Sequence, residues 1–210
     1  VKVLDTTNIP LIGEEIDNVL FDKRKQFKQV WIFDPLDGTR EFAKKSDEFC
    51  VCIALVEDNY PKYGMIVSPI HKKMIIGGAE IGSYELNFNE KWNVNIFNAI
   101  DELNPFKITQ LDEKKVVDSI IMSRFEKSST LTNFTNDLQK KNEQLKVIKM
   151  GSAMKFMQLA KGNADVYPRF APTMEWDISA GQAILEGVGG GVFNIKTGLR
   201  LDYNKESLYN

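Results

Sequence analysis

Four apolar residues, Val30-Trp31-Ile32-Phe33, end abruptly at an aspartate, and Asp34-Pro35-Leu36-Asp37-Gly38-Thr39-Arg40-Glu41-Phe42 follows. No other stretch constrains the chain as strongly. The apolar run reads as a short buried strand. Pro35 fixes φ and removes a backbone donor, so the strand is expected to stop at Asp34. Gly38 to Lys45 is expected to be a short helix whose first residues, Gly38 and Thr39, offer backbone N–H groups. Asp34 and Asp37 then stand at the mouth of a strand-to-helix turn, beside a small anion-binding concavity. Carboxylates that collect metal beside donors that collect phosphate suit metal-assisted phosphate ester chemistry. The same residue types also form ordinary turns, so the stretch needs support from elsewhere.

The segments around it alternate regularly. Ile9 to Ile12 reads as a strand, and Gly13-Glu14-Glu15 follows. The two glutamates suit the opening of a helix at Ile16, where the macrodipole favours acids. Alternatively, one of them is a third acid for a metal cluster. Asp22 to Lys28 reads as a polar turn. Phe49 to Val56, Tyr63 to Val67 and Met74 to Ala79 read as strands of an antiparallel meander, joined through Asp58-Asn59 and Ser68-Pro69-Ile70. Glu80 to Asn104 suggests a hairpin plus loop. Beyond Pro105 the pattern changes. Strands are expected at Val116 to Ser123, Leu145 to Met150, Ala164 to Tyr167 and Val192 to Ile195. Helices are expected at Thr130 to Lys141, from the Ser152 cap to Lys161, and from Trp176 to Val188. The expected organisation is an antiparallel-sheet half over residues 1–105 and an α/β half over residues 106–210.

Composition narrows the function classes. With 210 residues, 43% of them hydrophobic, the chain can build a real core. A net charge of −2 gives no basic surface for a nucleic-acid polymer or an anionic membrane. An acidic chain that handles phosphates needs metal ions to reverse the local sign. No run reaches the ~18 apolar residues of a membrane span, and no signal segment opens the chain. The two cysteines, Cys50 and Cys52, alternate with apolar residues and are expected to fill one core face as free thiols, which favours a reducing cytoplasm; as half of a zinc site the pair is a weak signal, because the sequence has no second Cys or His cluster. His71 is the only histidine and sits in a turn, so a His-based triad is not expected.

Two later segments carry further chemistry. In Pro172-Thr173-Met174-Glu175-Trp176-Asp177, Asp177 falls in the first turn of a helix, either as a dipole-stabilised acid or as a further ligand for a hard cation. In Gly151-Ser152-Ala153-Met154-Lys155-Phe156, Lys155 stands near a helix start, where a cation makes best sense facing an anionic ligand; a solvated surface lysine is the alternative. Arg169 is flanked by apolar residues and should bury its stem or meet a ligand.

With Gly13-Glu14-Glu15, Asp34-Pro35-Leu36-Asp37-Gly38-Thr39 and Trp176-Asp177 in this order, the chain resembles the inositol monophosphatase superfamily of metal-dependent, lithium-sensitive phosphatases. Within it the likeness is greatest to the CysQ-type 3'(2'),5'-bisphosphate nucleotidases, through Thr39 to Phe42, Gly151 to Phe156 and Tyr167 to Phe170 on through Glu175-Trp176-Asp177. The resemblance implies a layered α/β sandwich. It implies two or three Mg²⁺ ions, with Mn²⁺ as a substitute. The first would be held by Glu14, Asp34 and the Leu36 carbonyl, the second by Asp34, Asp37 and Asp177. Glu14, Asp37 and Thr39 would form the catalytic set, with the Thr39 hydroxyl orienting the attacking water. Gly38 and Thr39 would offer N–H groups to the phosphate, and Ser152, Lys155 and Arg169 would grip the second phosphate or the base. The implied substrate is adenosine 3',5'-bisphosphate, a by-product of sulfate activation and sulfonation.

Two departures accompany the resemblance. The superfamily opens with helices and an acidic segment, for which nothing before Val1 provides a counterpart, so the chain is expected to be a fragment or a natural truncation. Ser123-Arg124-Phe125-Glu126 stands where the nucleotidases show a Ser-Arg-x-His pattern. Alternative readings are an inositol or sugar phosphate phosphatase of the same fold, and an impaired remnant that binds metal or nucleotide. A homodimer is compatible with the sequence.

Overall fold

The computed structural model describes residues 4–16, 19–88, 106–107 and 116–210. Its main sheet follows chain order: β1 (Leu11–Gly13), β2 (Gln29–Asp37), β3 (Cys50–Glu57), β4 (Tyr60–Ser68), β5 (Lys73–Gly78), β6 (Gly82–Asn87) and β7 (Phe106–Lys107). β1 runs parallel to β2, and the remaining neighbours are antiparallel. Strand alternation places Val30, Ile32, Cys50, Cys52, Ala54 and Val56 on one buried face. Both cysteines are free.

A second sheet pairs β8 (Ser119–Ser123) with β9 (Lys146–Met150) in parallel. The helices are α1 (Phe21–Arg24), α2 (Thr39–Ala43), α3 (Ser129–Lys141), α4 (Met154–Ala160) and α5 (Glu175–Glu186), with a 3₁₀ turn at Leu4–Thr7. The Ser128 hydroxyl caps α3 by accepting the Leu131 N–H at 3.1 Å. α5 lies across β2 to β5 on the buried face of the main sheet, and α4 packs against α5. The approach is close because β4 offers a glycine. A Cβ on Gly64 would stand 2.3 Å from the Ala180 carbonyl oxygen. Ala180 and Ala183 are themselves fully buried. This contact fixes where α5 begins, and so where Asp177 points.

Several expectations change. β2 does not stop at Asp34. It runs to Asp37 through a bulge, with Asp34 opposite Cys52 and Asp37 opposite Cys50, three steps on one strand against two on the other. Pro35 is tolerated there because the bulge leaves the ladder. In a regular strand, residues three apart face opposite sides; the bulge puts both aspartates on the buried face. Glu14 to Ile16 form a turn, with Glu15 at φ 59°, rather than opening a helix at Ile16. The polar segment Asp22 to Lys28 opens in the short helix α1 and continues from Lys25 as a turn, with Arg24 buried. Its guanidinium reaches the Asn204 Oδ1 at 3.1 Å and the Glu206 carbonyl at 2.8 Å. Ala164 to Tyr167 contributes only the bridge Val166 to Ile120, and Val192 to Ile195 only the bridge Phe193 to Arg200. Of the hairpin and loop expected at Glu80 to Asn104, β6 pairs with β5; residues 89–104 and Pro105 lie outside the described residues.

Candidate active site

The site forms where the end of β2, the start of α2, the loop before α4 and the first turn of α5 meet. One carboxylate oxygen from each of Asp34, Asp37 and Asp177 lies within 4.8 Å of the other two. Asp34 is 1% exposed and accepts the Leu36 N–H at 2.8 Å, an internal turn that the bulge permits. The Asp37 carboxylate accepts the Ala153 N–H and lies 3.7 Å from the Cys50 thiol. Asp177 accepts the Met174 N–H at 2.8 Å, which caps α5 and fixes the side chain. Two strand residues and one helix residue, 140 positions apart at the nearest between Asp37 and Asp177, thus share a single small volume.

The electrostatics of this cluster are those of buried acids crowded together, which nearby Lys155 and Arg169 offset only in part. Burial, then the Asp37 carboxylate, push Asp34 up to about 8. Burial and Asp37 push Asp177 up to about 6. Asp37 is raised by burial although Lys155 and the Ala153 N–H oppose it. Glu14 is raised by burial, then by Glu15 and Asp37, against a hydrogen bond from the Trp176 side chain. Glu14 therefore senses the trio, although its oxygens are not among the converging three. An all-oxygen, multiply acidic donor set fits a hard divalent cation such as Mg²⁺ or Mn²⁺, whose charge would relieve the repulsion.

A cavity of about 470 Å³ opens beside the trio, a size suited to a small ligand. Asp37, Gly38, Thr39 and Asp177 line it. Ser152, Lys155 and Arg169 complete it. Seven sequence-predicted residues thus share one wall. Asp34 reaches them through Asp37 and Asp177, while Glu14 and Leu36 stand off that wall. Gly38 has φ 93°, and a Cβ there would stand 3.0 Å from both the Glu48 carbonyl oxygen and the Ser152 Cβ. Only glycine makes this turn easily.

Lys155 is 4% exposed, so it is not a solvated surface lysine. Its ammonium donates to the Ser152 carbonyl and lies 5.0 Å from the Tyr167 ring centroid. Burial lowers its pKa, against the pull of Asp37. Ser152 holds φ 49°, and its hydroxyl accepts the Met154 N–H at 3.2 Å. Arg169 pairs with Glu126 at 3.0 Å, and its Nε is buried without a hydrogen-bond partner among the described residues. His71 bonds the Ser68 hydroxyl at 2.8 Å in the turn after β4, and it does not line the cavity.

In the sequence, Glu126 stands out only as the residue where the nucleotidases show a histidine. Its carboxylate accepts the N–H groups of Phe170 and Ala171 at 3.1 and 3.0 Å while holding Arg169. Glu41 also lines the cavity as a buried acid beside Gly151. Local spacing carries no signal for either contact, because both partners are remote in sequence.

The description of the inositol monophosphatase family matches residues 5–209. The chain belongs to the inositol monophosphatase family. It is 34% identical, over 97% of its length and 69% of the relative's, to the 3'(2'),5'-bisphosphate nucleotidase CysQ of Buchnera aphidicola. It is 33% identical to the nucleotidase of the same name from Salmonella typhimurium, over 98% of this chain and 74% of that protein. The crystal structure of CysQ from Bacteroides thetaiotaomicron superposes with a TM-score of 0.89 at 35% identity, covering 100% of this chain and 77% of that one. The mixed main sheet and its helices are the α/β fold of this family.

Proposed function

We propose that the protein is a phosphoric monoester hydrolase that removes the 3'-phosphate of adenosine 3',5'-bisphosphate in the cytoplasm. The observation that carries this reading is the convergence of Asp34, Asp37 and Asp177 at a cavity that also holds Lys155 and Arg169. Acids for a cation and cations for a second anionic group then face one small volume. Relatives at 33 to 35% identity bear the name CysQ, and the curated ones are called 3'(2'),5'-bisphosphate nucleotidases.

Asp34, Asp37 and Asp177 would hold a Mg²⁺ ion, and Glu14, Asp34 and the Leu36 carbonyl a further one. Bound there, the cation supplies Lewis acidity toward a phosphoryl oxygen and lowers the pKa of water. The chain's own residues do the rest. The backbone N–H groups of Gly38 and Thr39 orient the phosphate. The Thr39 hydroxyl, exposed at the cavity, positions the attacking water with Glu14 and Asp37. Lys155, Arg169 and Ser152 hold the second phosphate. No nucleophilic side chain is required, so the absence of a histidine from the cavity wall creates no difficulty.

The test is phosphate release with Mg²⁺ from adenosine 3',5'-bisphosphate and, separately, from inositol monophosphate. Release from the bisphosphate at the higher kcat/KM supports the reading. A preference for inositol monophosphate assigns a different substrate to the same site. No release from either overturns the catalytic assignment.

A further inference from the structure

Behind the acids lies a pair of thiols that the phosphatase reading does not use. In the β2–β3 register, Cys52 faces Asp34 and Cys50 faces Asp37. Both are free and almost fully buried. Their Sγ atoms are 3.8 Å apart. Cys50 Sγ is 3.7 Å from Asp37 Oδ2 and 3.5 Å from the Ser152 hydroxyl. One donor atom from each of Asp37, Cys50 and Cys52 lies within 4.8 Å of the other two.

Two of these spacings, 3.8 Å between the sulfurs and 3.7 Å from Cys50 to Asp37, are close to those of a coordination polyhedron. A tetrahedral ion with metal–sulfur bonds of about 2.3 Å separates two sulfurs by about 3.8 Å, and a sulfur from an oxygen by about 3.5 Å. The pair is poorly placed for a disulfide, because residues two apart on an extended strand hold their Cα atoms near the upper limit for a bridge. The sulfurs stand side by side, as chelation needs. Neither thiol lines the cavity, but Asp37 and Ser152, which do, both touch Cys50, so the thiols lie one residue behind its wall.

We propose that Asp37, Cys50 and Cys52 form a site for one thiophilic divalent cation of the zinc and cadmium class. Thiolates select such ions over Mg²⁺, whereas the neighbouring all-oxygen trio selects the reverse. On binding, each thiol loses its proton to solvent and forms one metal–sulfur bond, and the Asp37 carboxylate supplies a third bond. No electron is transferred. Because Asp37 belongs to both sets, the soft ion withdraws it from the hard-ion cluster and inhibits phosphate release. That inhibitory consequence rests on the proposed function; the binding itself does not.

The experiment is a titration of reduced, metal-free protein with Cd²⁺, followed by the sulfur-to-cadmium charge-transfer absorption in the near ultraviolet. The band should grow to one equivalent and be competed away by Zn²⁺. Cys50→Ser and Cys52→Ser should each weaken Cd²⁺ binding by more than the roughly 10- to 100-fold that loss of an outer-shell partner costs. No band with the wild-type protein overturns the proposal, and this arm stands even if a variant fails to fold. A band unchanged in both variants overturns it as well. In the activity arm, Zn²⁺ inhibition should resist excess Mg²⁺ and weaken in Cys52→Ser. A band without inhibition keeps the site and removes its link to catalysis. A chain that releases no phosphate at all still gives a deciding absorption result.

Discussion

The Arg169 guanidinium stands 3.0 Å from the Glu126 carboxylate, and Glu126 also accepts the two N–H groups that follow Arg169 in the chain. One buried acid thereby orients both the arginine side chain and its loop. Glu126→Gln keeps the shape but removes the charge. Loss of a charged hydrogen bond costs about 1.5–3 kcal/mol. The expected result is a roughly 10- to 100-fold rise in KM for adenosine 3',5'-bisphosphate, with a smaller change in kcat. A phosphate monoester lacking the second phosphate should show much less effect. Equal losses on both substrates would mean that Arg169 does not grip that phosphate.

Asp34→Asn separates function from stability. The amide can still accept the Leu36 N–H, and it removes one charge from the crowded acids. Activity with Mg²⁺ should fall by more than about 100-fold, beyond the loss of an outer-shell partner. Without metal, the variant should melt no lower than the wild type at pH 8. A clear drop in its metal-free melting temperature would argue that Asp34 has a structural partner instead.

Metal should stabilise the folded chain. At 100 times the dissociation constant, a ligand specific to the native state contributes about 2.7 kcal/mol. For a domain of this size that raises Tm by roughly 5–10 °C. Calorimetry with and without Mg²⁺ checks this, and Asp177→Asn should abolish most of the shift. Identical scans would count heavily against the cluster as a cation site.

The acids also set a pH dependence in the absence of metal. Their folded values are raised, Asp34 to about 8 and Asp177 to about 6, from an ordinary 3.8. Between about pH 4 and 8, the folded chain therefore holds protons that the unfolded chain has released. Stability contributed by these groups is full below pH 4 and is lost as pH rises toward 8. The Tm of the metal-free protein should fall between pH 5 and 8, and saturating Mg²⁺ or Asp34→Asn should flatten the slope. A metal-free Tm that rises across this range would refute the assignment.

Gly64→Ala tests how α5 is seated. The added methyl would meet the Ala180 carbonyl oxygen at 2.3 Å, so helix and sheet must separate. Overpacking of this kind costs about 1–3 kcal/mol. Denaturant unfolding should report that loss, and Mg²⁺ affinity should drop because Asp177 rides on the displaced helix. Unchanged affinity in a destabilised variant would show that the α5 position is not critical to the acids.

That the three aspartates come together was legible because each stands in a short motif. Asp34, Asp37 and Asp177 were identifiable, and seven of the named residues share the cavity wall. The meander was legible too, since β3 alternates cleanly and β4 does so along most of its length, although β5 carries consecutive buried residues. What escaped depends on remote partners. Arg24 looked like a turn residue because Asn204 and Glu206 lie 180 or more positions away. Val192 to Ile195 has strand composition, but it makes a single bridge to its own hairpin partner. Glu126 gave no local hint of capturing the 169–171 backbone. Pro35 misled most directly: a proline ends a regular ladder, and nothing in composition announces that the ladder continues one residue out of step.

That surplus residue in β2 has a consequence for how this stretch can vary. Shortening it by one would leave both aspartates facing inward, two positions apart on a regular strand, so the acidic pair alone does not explain the extra length. What shortening would withdraw is the stretch of main chain released from pairing with β3, which includes the Leu36 oxygen. Positions 35 and 36 should therefore tolerate a change of side chain better than a change in residue number.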